Sequence, residues 1–381
     1  MKLVELGTIL HMDKGKKPQK QQEKYKEGYL PYVDIQAFEE GIIKSYADPQ
    51  KCLLCEDGDL LIVCDGSRSG LTGRAIKGVV GSTLSKISAD GLCTEYLQYF
   101  IQSKYTLLNI RKKGTGTPHL NAELLKKSKL VIPTQTEQER IVSKIEELFS
   151  KLDASVAELK TAKEKLKVYR QAVLKEAFDA VSESPRAKIQ HICEYIIDCP
   201  HSTPKWTNAG KICLRTTNFK RGYLDLREKN YVSEETFNAR NSRLIPASGD
   251  VLYSREGAIL GIACIIPAGL SVCLGQRMML LRTNEENFNR FLMHYLNSPA
   301  VTNYVASITG GSASPHVNVR DIKNFLIPVP KLDVQKRTVL KIEERISICD
   351  DSERSIDTAI QQAEALRQSI LKQAFEGRLI E

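Results

Sequence analysis

The stretch from Pro133 to Phe178 reads PTQTEQERIVSKIEELFSKLDASVAELKTAKEKLKVYRQAVLKEAF. Its apolar side chains recur every three to four residues between charged ones, and neither glycine nor proline interrupts it before Pro185. This pattern predicts one long helix, in which Thr136 is the expected cap and Glu139 the third residue after it. The helix would be roughly 40 residues, or ~60 Å, long.

This stretch belongs to an internal repeat. A single offset of 197 residues relates the two copies from Pro118 to Phe178 without a gap. The offset equates Pro118, His119 and Asn121 with Pro315, His316 and Asn318, Pro133 with Pro330, Gln138 with Gln335, Ile145 with Ile342, Arg170 with Arg367, and Phe178 with Phe375. The repeat indicates duplication of a whole unit. A duplicated unit can form a molecule with internal two-fold symmetry, which suits a target made of two parts.

The second copy predicts a second long helix. In both copies the apolar stripe is narrow and is flanked by lysine and glutamate, as in a coiled-coil seam. We expect an antiparallel pair within the chain, because each helix follows its own globular region. The alternative is that each helix packs separately on its own globular region. The residues expected at the seam of the helix pair are Ile141, Ile145, Leu148, Leu152, Leu159, Leu166, Val339, Ile342, Ile346, Ile356, Ile360, Leu366 and Ile370.

The sequence therefore predicts an α+β fold with four segments. Residues 1–132 and 181–330 are expected to form two mixed α/β domains, because short β-branched runs such as 60–63 and 263–266 alternate with turn-rich segments. The two domains would stand in a pseudo-two-fold arrangement. The long antiparallel coiled-coil helices, at 133–180 and 331–381, would separate them.

The net charge of +9 is unevenly distributed. Residues 133–180 contain nine basic and nine acidic side chains, and residues 331–381 contain nine and ten. The excess positive charge therefore lies in the two globular regions, which suggests a polyanionic partner such as nucleic acid. No segment approaches the ~20 apolar residues of a membrane span, and the amino terminus has no signal-peptide pattern. We therefore expect a cytoplasmic protein without a membrane partner.

The motifs of several enzyme classes are absent from the sequence. It contains no phosphate-binding GxxxxGK[ST] loop, no glycine-rich dinucleotide fingerprint, no HExxH and no GxSxG. The Asn-Pro-Pro-aromatic tetrapeptide of amino-methyltransferases is also absent. The one candidate metal cluster is Cys52, Cys55 and Cys64, which lacks a second CxxC or a histidine pair at zinc-finger spacing. We therefore expect neither an ATP-driven motor nor a bound metal in this chain, and interpret the cysteines as small buried residues.

His119 and His316 are the only histidines that the repeat equates. Each follows a glycine-rich approach, so it is a candidate for a phosphate or base contact from a loop. The alternative is a turn whose histidine and asparagine side chains satisfy local backbone groups. We favour the structural interpretation, because the repeat keeps these residues while the rest of the globular regions diverges.

Basic residues on turn-rich segments are the better candidates for DNA contacts. Arginine can bind guanine through two hydrogen bonds, and lysine more often neutralises phosphate. Tyr32, Trp206 and Tyr253 could add contacts to base methyl groups. A solvated surface position is the alternative for each residue taken alone. The basic candidates are Lys14, Lys16, Lys17, Arg68, Arg74, Arg111, Lys112, Lys113, Lys205, Arg215, Lys220, Arg221, Arg240, Arg243, Arg255 and Arg277.

These features together resemble the specificity subunit of a type I restriction-modification system, over the whole chain. The segments that carry the resemblance are GTGTPHLN at 114–121, VIP at 131–133, EQERIV at 137–142, KIEELF at 144–149, RQAVLK at 170–175 with AF at 177–178, and AFEGRL at 374–379. The second copy departs from the pattern at 334–339, where VQKRTV replaces a stretch like EQERIV.

The resemblance implies that the two globular domains are target recognition domains. Each would read one half of a bipartite, asymmetric site in double-stranded DNA. The helices would fix the spacer between the half-sites and dock two methyltransferase (modification) subunits, and two restriction subunits are a further partner that the resemblance allows. The chain itself would be non-catalytic. S-adenosylmethionine, ATP and magnesium would belong to the partner subunits.

Two other functions are compatible with parts of the sequence. A coiled-coil DNA-binding scaffold or regulator outside restriction-modification would share the helices and the basic domains. A self-sufficient methyltransferase would need a cofactor-binding motif that the sequence does not show. If the helix pair acts as a ruler, four extra residues in each helix, ~6 Å, would lengthen the spacer by one to two base pairs at ~3.4 Å each.

Overall fold

The computed structural model describes residues 3–111, 118–310 and 315–380. The chain divides into two compact units. Unit 1 contains Met1–Leu159 together with Asp357–Glu381, and unit 2 contains Lys160–Ile356. The two boundaries, after Leu159 and after Ile356, are themselves 197 residues apart.

Unit 1 begins with a mixed α/β region. Its strands are β1 (Leu3–Glu5), β2 (Leu10–Lys14), β3 (Gln21–Gln22), β4 (Leu30–Val33), β5 (Tyr46–Ala47), β6 (Leu54–Cys55), β7 (Leu60–Val63), β8 (Thr72–Arg74), β9 (Gly78–Val80), β10 (Leu84–Ala89) and β11 (Lys129–Val131). Its helices are α1 (Ile35–Glu40), α2 (Thr94–Ile110), α3 (Ala122–Lys126) and the long α4 (Gln135–Asp179), with a 3-10 turn at Leu6–Thr8. The last part of α4 belongs to unit 2.

Unit 2 has a mixed α/β region of the same kind. Its strands are β12 (Arg186–Lys188), β13 (Cys193–Asp198), β14 (Trp206–Thr207), β15 (Lys211–Leu214), β16 (Phe219–Lys220), β17 (Tyr223–Leu224), β18 (Tyr231–Val232), β19 (Val251–Ser254), β20 (Ala263–Ile265), β21 (Val272–Leu274), β22 (Met278–Thr283) and β23 (Leu326–Pro328). Its helices are α5 (Ile189–Ile192), α6 (Glu234–Arg240), α7 (Asn289–Leu296), α8 (Pro299–Thr309), α9 (Val319–Lys323) and the long α10 (Leu332–Phe375), with a 3-10 turn at Thr216–Asn218. The last part of α10 belongs to unit 1.

The two units have the same sheet plan although their globular sequences differ. Unit 1 has a sheet in the order β2-β10-β7-β8, and unit 2 has β13-β22-β19-β20. The second sheet is β3-β5-β4-β9-β6 in unit 1 and β14-β18-β15-β21 in unit 2. In each second sheet one pair of strands is parallel, β4 with β9 and β15 with β21. The duplication inferred from the sequence therefore extends to both globular regions.

The core of each unit lies between its four-stranded sheet and the helices that follow. In unit 1, Leu60 and Ile62 of β7 are buried in one cluster with Leu97 and Ile101 of α2. In unit 2, Val251 of β19 is buried in one cluster with residues of α7. Within the described part of the chain no helix is both long enough and apolar enough to cross a membrane.

An aromatic contact attaches a long helix to each globular region. In unit 2 the ring of Phe178 meets Phe291 and Tyr295 edge-to-face, with centroid distances of 5.2 and 5.0 Å. In unit 1 the equivalent Phe375 meets Tyr96 and Phe100 in the same way, at 5.1 and 5.3 Å. These two phenylalanines are retained in both copies of the repeat because each one packs against the core of its unit.

The long helices run antiparallel within each unit. In unit 2, Arg170 of α4 pairs with Asp350 of α10, and Glu176 pairs with Arg345. As numbering rises along α4, the partner's number therefore falls. In unit 1, Ile141 packs in one apolar cluster with Ala374 and Phe375, while Asp153 pairs with Arg367. The prediction of two mixed α/β regions and two long helices that pack together is confirmed.

The seam residues differ in how deeply they are buried. Ile145, Val339, Ile342 and Ile370 are buried, whereas Leu366 is 49% exposed. The sequence predicts Leu366 at the seam, but in the structure the next residue, Arg367, faces α4. Its guanidinium lies 4.2 Å from the centre of the Phe149 ring. Successive residues on a helix are about 100° apart, so Leu366 turns towards solvent.

Helix α4 begins slightly earlier than the sequence indicated. The residue that caps it is Thr134 and not Thr136. The Thr134 hydroxyl accepts from the backbone N–H of Glu137 at 3.4 Å, and the Glu137 carboxylate accepts from the Thr134 N–H at 2.8 Å. This reciprocal pair is a capping box. It lowers the pKa of Glu137, chiefly through the hydrogen bond from that backbone N–H.

Candidate nucleic-acid interface

Five strand ends converge at one edge of unit 1. The parallel strands β4 and β9 finish side by side. The last residues of β2 and β7 pair with the first residues of β10. We call the surface formed by the segments at these ends the strand-end edge of unit 1. It consists of Lys14–Lys17, Asp34, Asp65–Arg68, Ser82–Thr83 and His119.

The corresponding strands create the strand-end edge of unit 2. Strands β15 and β21 finish side by side, and the ends of β13 and β19 pair with the beginning of β22. The strand-end edge of unit 2 consists of 198–205, Arg215, 255–257, 276–277 and His316. Loops at strand ends carry function readily, because the sheet fixes their backbone while their side chains vary.

A glycine fixes the backbone at the same point of both edges. The Gly81 N–H donates to the carbonyl of Val33 at 2.9 Å, and the Gly275 N–H donates to the carbonyl of Leu214 at 2.9 Å. A Cβ atom on Gly81 would lie 2.6 Å from the Val33 oxygen, and one on Gly275 would also collide with the Leu214 oxygen. Only glycine allows this close approach of the two parallel strands.

The repeated Pro-His segments are attached to these edges through backbone hydrogen bonds. In unit 1 the Gly66 N–H donates to the Pro118 carbonyl at 2.7 Å. In unit 2 the Gly257 N–H donates to the Pro315 carbonyl at 3.0 Å. His119 and His316 form equivalent antiparallel bridges, with Asp65 and Glu256. These contacts support the structural interpretation of the histidine pair.

An ion pair of opposite polarity joins the same two strand ends in each unit. In unit 1, Lys14 at the end of β2 lies 2.8 Å from Asp65 after β7. In unit 2, the acid is Asp198 at the end of β13, and the base is Arg255 after β19, which binds both carboxylate oxygens at 2.9 and 3.2 Å. Arg255 directly follows β19 and corresponds to Cys64 at the offset of 191, whereas Asp65 corresponds to Glu256. The two ion pairs therefore join corresponding strand ends from different positions and with opposite polarity.

In each ion pair a histidine side chain also contacts the aspartate. Nδ1 of His119 lies 2.7 Å from Asp65, and Nε2 of His201 lies 3.1 Å from Asp198. Partial burial by itself would raise the pKa of Asp65. The hydrogen bonds from Lys14 and His119 outweigh that effect, so the pKa of this carboxyl group lies below its ordinary value.

Two of the basic candidates are structural, and one aromatic candidate is buried. The guanidinium of Arg240 donates to four backbone carbonyls, two of which belong to Leu274 and Gly275 at 2.6 and 2.7 Å. Arg255 is 7% exposed and is engaged by Asp198. Tyr253 is completely buried in the core of unit 2. The expectation that these three side chains contact DNA is corrected: sequence alone does not distinguish a surface arginine from one that ties loops together.

Other candidates are exposed but already paired. Arg68 pairs with Glu39, and Arg74 lies 2.6 Å from Glu95. Exposed candidates with weaker or non-acidic neighbours include Arg215, whose guanidinium lies 5.7 Å from the Trp206 ring centre. The remaining exposed or half-buried candidates are Lys16, Lys17, Arg111, Lys205, Lys220, Arg221, Arg243 and Arg277. Lys112 and Lys113 lie outside the described residues.

The cysteines do not form a metal site in the described part of the chain. The Cys55 thiol donates to the carbonyls of Ile76 and Gly78 at 3.3 and 3.5 Å, and Cys64 lies 3.1 Å from the Ser85 hydroxyl. Burial raises the pKa of the Cys55 thiol to about 11. Among the described residues no cluster of three histidine, cysteine, aspartate or glutamate side chains could hold a metal ion.

Sequence reasoning did not identify the acidic partners at the edges, Asp65 and Asp198. A signal was present for the first: Asp65-Gly66 and Glu256-Gly257 correspond at an offset of 191, which differs from the offset of the helices. No signal marked Asp198, because its equivalent in unit 1 is the lysine at position 14.

The chain matches the family model described as "Type I restriction modification DNA specificity domain" over residues 1–165 and 189–362. It is similar to the type I restriction enzyme MjaVIII specificity subunit of Methanocaldococcus jannaschii, with 23% identity over 99% of this chain and 92% of that protein. It is also similar to the type I restriction enzyme EcoBI specificity subunit of Escherichia coli, with 22% identity over 84% of this chain and 73% of that protein.

Solved structures show the same fold. One, from a study of complex assembly and conformational transition in the type I R-M system, has a TM-score of 0.72 at 20% identity and is matched over 99% of this chain and 98% of its own. The HsdS subunit of Thermoanaerobacter tengcongensis has a TM-score of 0.51 at 20% identity, over 99% of this chain and 97% of its own.

Proposed function

The chain belongs to the type I restriction-modification DNA specificity family, and from that membership we propose that each unit reads one half of a bipartite, asymmetric DNA site. The protein is a DNA sequence-specificity subunit and assembles with other subunits of such a system. The regulator outside restriction-modification is not favoured. The finer proposals concern which surfaces read DNA, how the half-sites are spaced and which partners bind.

The strand-end edges are the surfaces proposed to read the two half-sites. The observation that carries this proposal is the ion pair of reversed polarity between the same strand ends, Lys14 with Asp65 and Asp198 with Arg255. The first sheet, the parallel strand pair of the second sheet, the glycine contacts and the Pro-His bridges correspond in the two units, while the charged side chains at the edge differ. A constant frame with different edge side chains is what two readers of different half-sites require.

The long helices are proposed to set the spacer and to dock two modification subunits. Both helices are unbroken elements of more than forty residues. They carry apolar side chains that the described part of unit 2 leaves largely exposed: Val168 is 71%, Leu340 66% and Ile348 62% exposed. Exposed apolar residues on helices that already have a buried seam fit contact with partner proteins. Restriction subunits would join in systems that contain them.

The chain is proposed to be non-catalytic. Adenine methylation with S-adenosylmethionine, and translocation with ATP and magnesium, would be performed by the partner subunits. Support comes from the curated relatives, which are named as specificity subunits.

Methylation mapping tests the proposal. The chain is expressed with its modification subunit, and methylated adenines are located by single-molecule sequencing. We expect one bipartite motif with a fixed spacer. Replacing residues 1–132 with the equivalent region of another family member should change one half-site only. A change in both half-sites, or a continuous motif, would contradict the modular reading.

A further inference from the structure

Arg277 differs from the other basic candidates in its backbone conformation. Its φ angle is +67°, and among the described residues only Lys51 is another non-glycine residue with a positive φ. Arginine rarely adopts this left-handed conformation, and it persists only where the surroundings impose it. The side chain is nevertheless 57% exposed on the strand-end edge of unit 2.

Hydrogen bonds on both sides impose the backbone conformation of Arg277. Two residues earlier, Gly275 is tied to Leu214 at 2.9 Å. The carbonyl of Arg277 itself accepts from the N–H of Arg255 at 3.0 Å. Between them, the Gln276 side chain donates to the carbonyl of His201. The Cα–Cβ direction of Arg277 is therefore determined by the sheet and not by a mobile loop.

Glu256 lies beside the guanidinium of Arg277 without occupying its hydrogen-bond donors. Its Nε lies 3.6 Å from a carboxylate oxygen of Glu256, which is longer than a hydrogen bond. A Cβ atom on Gly257 would lie only 3.2 Å from the Nη1 atom, so the absence of a side chain there leaves room for the guanidinium. The terminal N–H groups remain able to bind two acceptors in one plane.

We propose that Arg277 reads a guanine in the half-site bound by unit 2. Guanine presents two acceptors, O6 and N7, on its major-groove edge, and the arginine fork matches both. This inference rests on the proposed function of the strand-end edge. At the equivalent position of unit 1, directly before the first residue of β10, stands Thr83. The two half-sites are therefore read by different groups at this point of the frame.

Two substitutions separate reading from folding. Arg277→Gly removes the side chain, and glycine adopts a positive φ without strain, so the fold is kept. Arg277→Lys keeps the charge but not the planar fork. Each variant is expressed with the wild-type modification subunit, and methylation is measured across all variants of the wild-type motif by single-molecule sequencing. Arg227→Gln, which removes an exposed, ion-paired charge from the globular region of the same unit outside its strand-end edge, is the matched control.

We expect both Arg277 variants to accept other bases at one position. Discrimination for guanine should fall by about 10- to 100-fold there, as for loss of one bidentate base contact. Replacing residues 1–132 identifies the half-site of unit 1, which should be unchanged, and the control should retain the full motif.

Two results would overturn the assignment. Equal loss of methylation at every site, without a change of motif, would make Arg277 a phosphate contact. An unchanged motif in both variants would remove it from recognition. If the wild-type chain itself gave no bipartite motif, the proposed function would fail first, and that failure is visible without any Arg277 variant.

Discussion

Arg170 of α4 donates a hydrogen bond to Asp350 of α10 at 2.6 Å. Their equivalents in the repeat, Arg367 and Asp153, form the same ion pair with the helices exchanged. Such reciprocity, in which residue i contacts j and the copy of j contacts the copy of i, is expected where an element pairs with its own duplicate. The helix pair therefore retains the contacts of the duplicated ancestor.

A double-mutant cycle on Arg170 and Asp350 should show modest coupling. Both side chains are partly exposed, so we expect a coupling free energy of about 0.5–1 kcal/mol. Arg170→Ala should lower the free energy of unfolding more than Asp350→Ala, because Arg170 also lies 2.9 Å from Glu353. Denaturant unfolding of the four proteins provides the measurement. Strictly additive effects would show that the pair contributes nothing.

Gln138→Ala and Gln335→Ala should each destabilise the fold substantially. Both glutamines are buried, and each side-chain oxygen accepts the backbone N–H that precedes a helix of its unit. These bonds are from Cys93 at 2.7 Å and from Phe288 at 2.8 Å. Leaving such a buried N–H without an acceptor costs about 1–3 kcal/mol.

The matched control for these variants is Gln373→Ala. Gln373 lies on the exposed side of α10, and its side-chain amide donates to the Ser369 hydroxyl on the same helix at 3.3 Å. Its replacement should change the free energy of unfolding by less than ~0.5 kcal/mol. If the three glutamine variants were equally stable, the link from the long helices to the globular regions would be unimportant.

Phe178→Ala should be the most destabilising of these changes. Phe178 is 5% exposed, so its removal leaves a cavity and should cost about 3–5 kcal/mol. Phe375 makes equivalent ring contacts but is only partly buried, so Phe375→Ala should cost less. Thermal unfolding compares the two, with the leucine variants as controls for ring loss. A larger loss of stability from Phe375→Ala than from Phe178→Ala would contradict this explanation from burial.

Acid should remove the contribution of Asp65 to stability. Its pKa is lower in the folded chain than its ordinary value, so the contribution is present above that value and is lost as pH falls through the folded pKa. Wild type should therefore exceed Asp65→Asn in stability at neutral pH, and the difference should shrink below about pH 4. Asp90→Asn, whose carboxylate is 72% exposed, is the control. A stability difference between wild type and Asp65→Asn that did not depend on pH would contradict this explanation.

The repeat made the helices and their pairing predictable, because the seam and the partners are encoded at one fixed offset. The sequence was less informative about the edges. From the sequence alone, Arg240 and Arg277 are equivalent basic candidates. In the structure Arg240 is buried against backbone carbonyls, whereas Arg277 projects from a left-handed turn. The two arginines are distinguished by the strand pairing that brings distant loops together. The reversed polarity of the ion pairs further hides which edge residues of the two units correspond.

Lengthening both long helices together tests whether their length sets the separation of the two half-sites that this chain is proposed to read. Seven residues, one heptad, are inserted after Leu159 in α4 and after Ile356 in α10, which preserves the phase of the seam. The insertion adds ~10 Å to each helix, or about three base pairs of DNA. Methylation mapping should then find the two wild-type half-sites separated by a correspondingly longer spacer. If the lengthened protein kept the wild-type spacer, helix length would not set the separation of the half-sites.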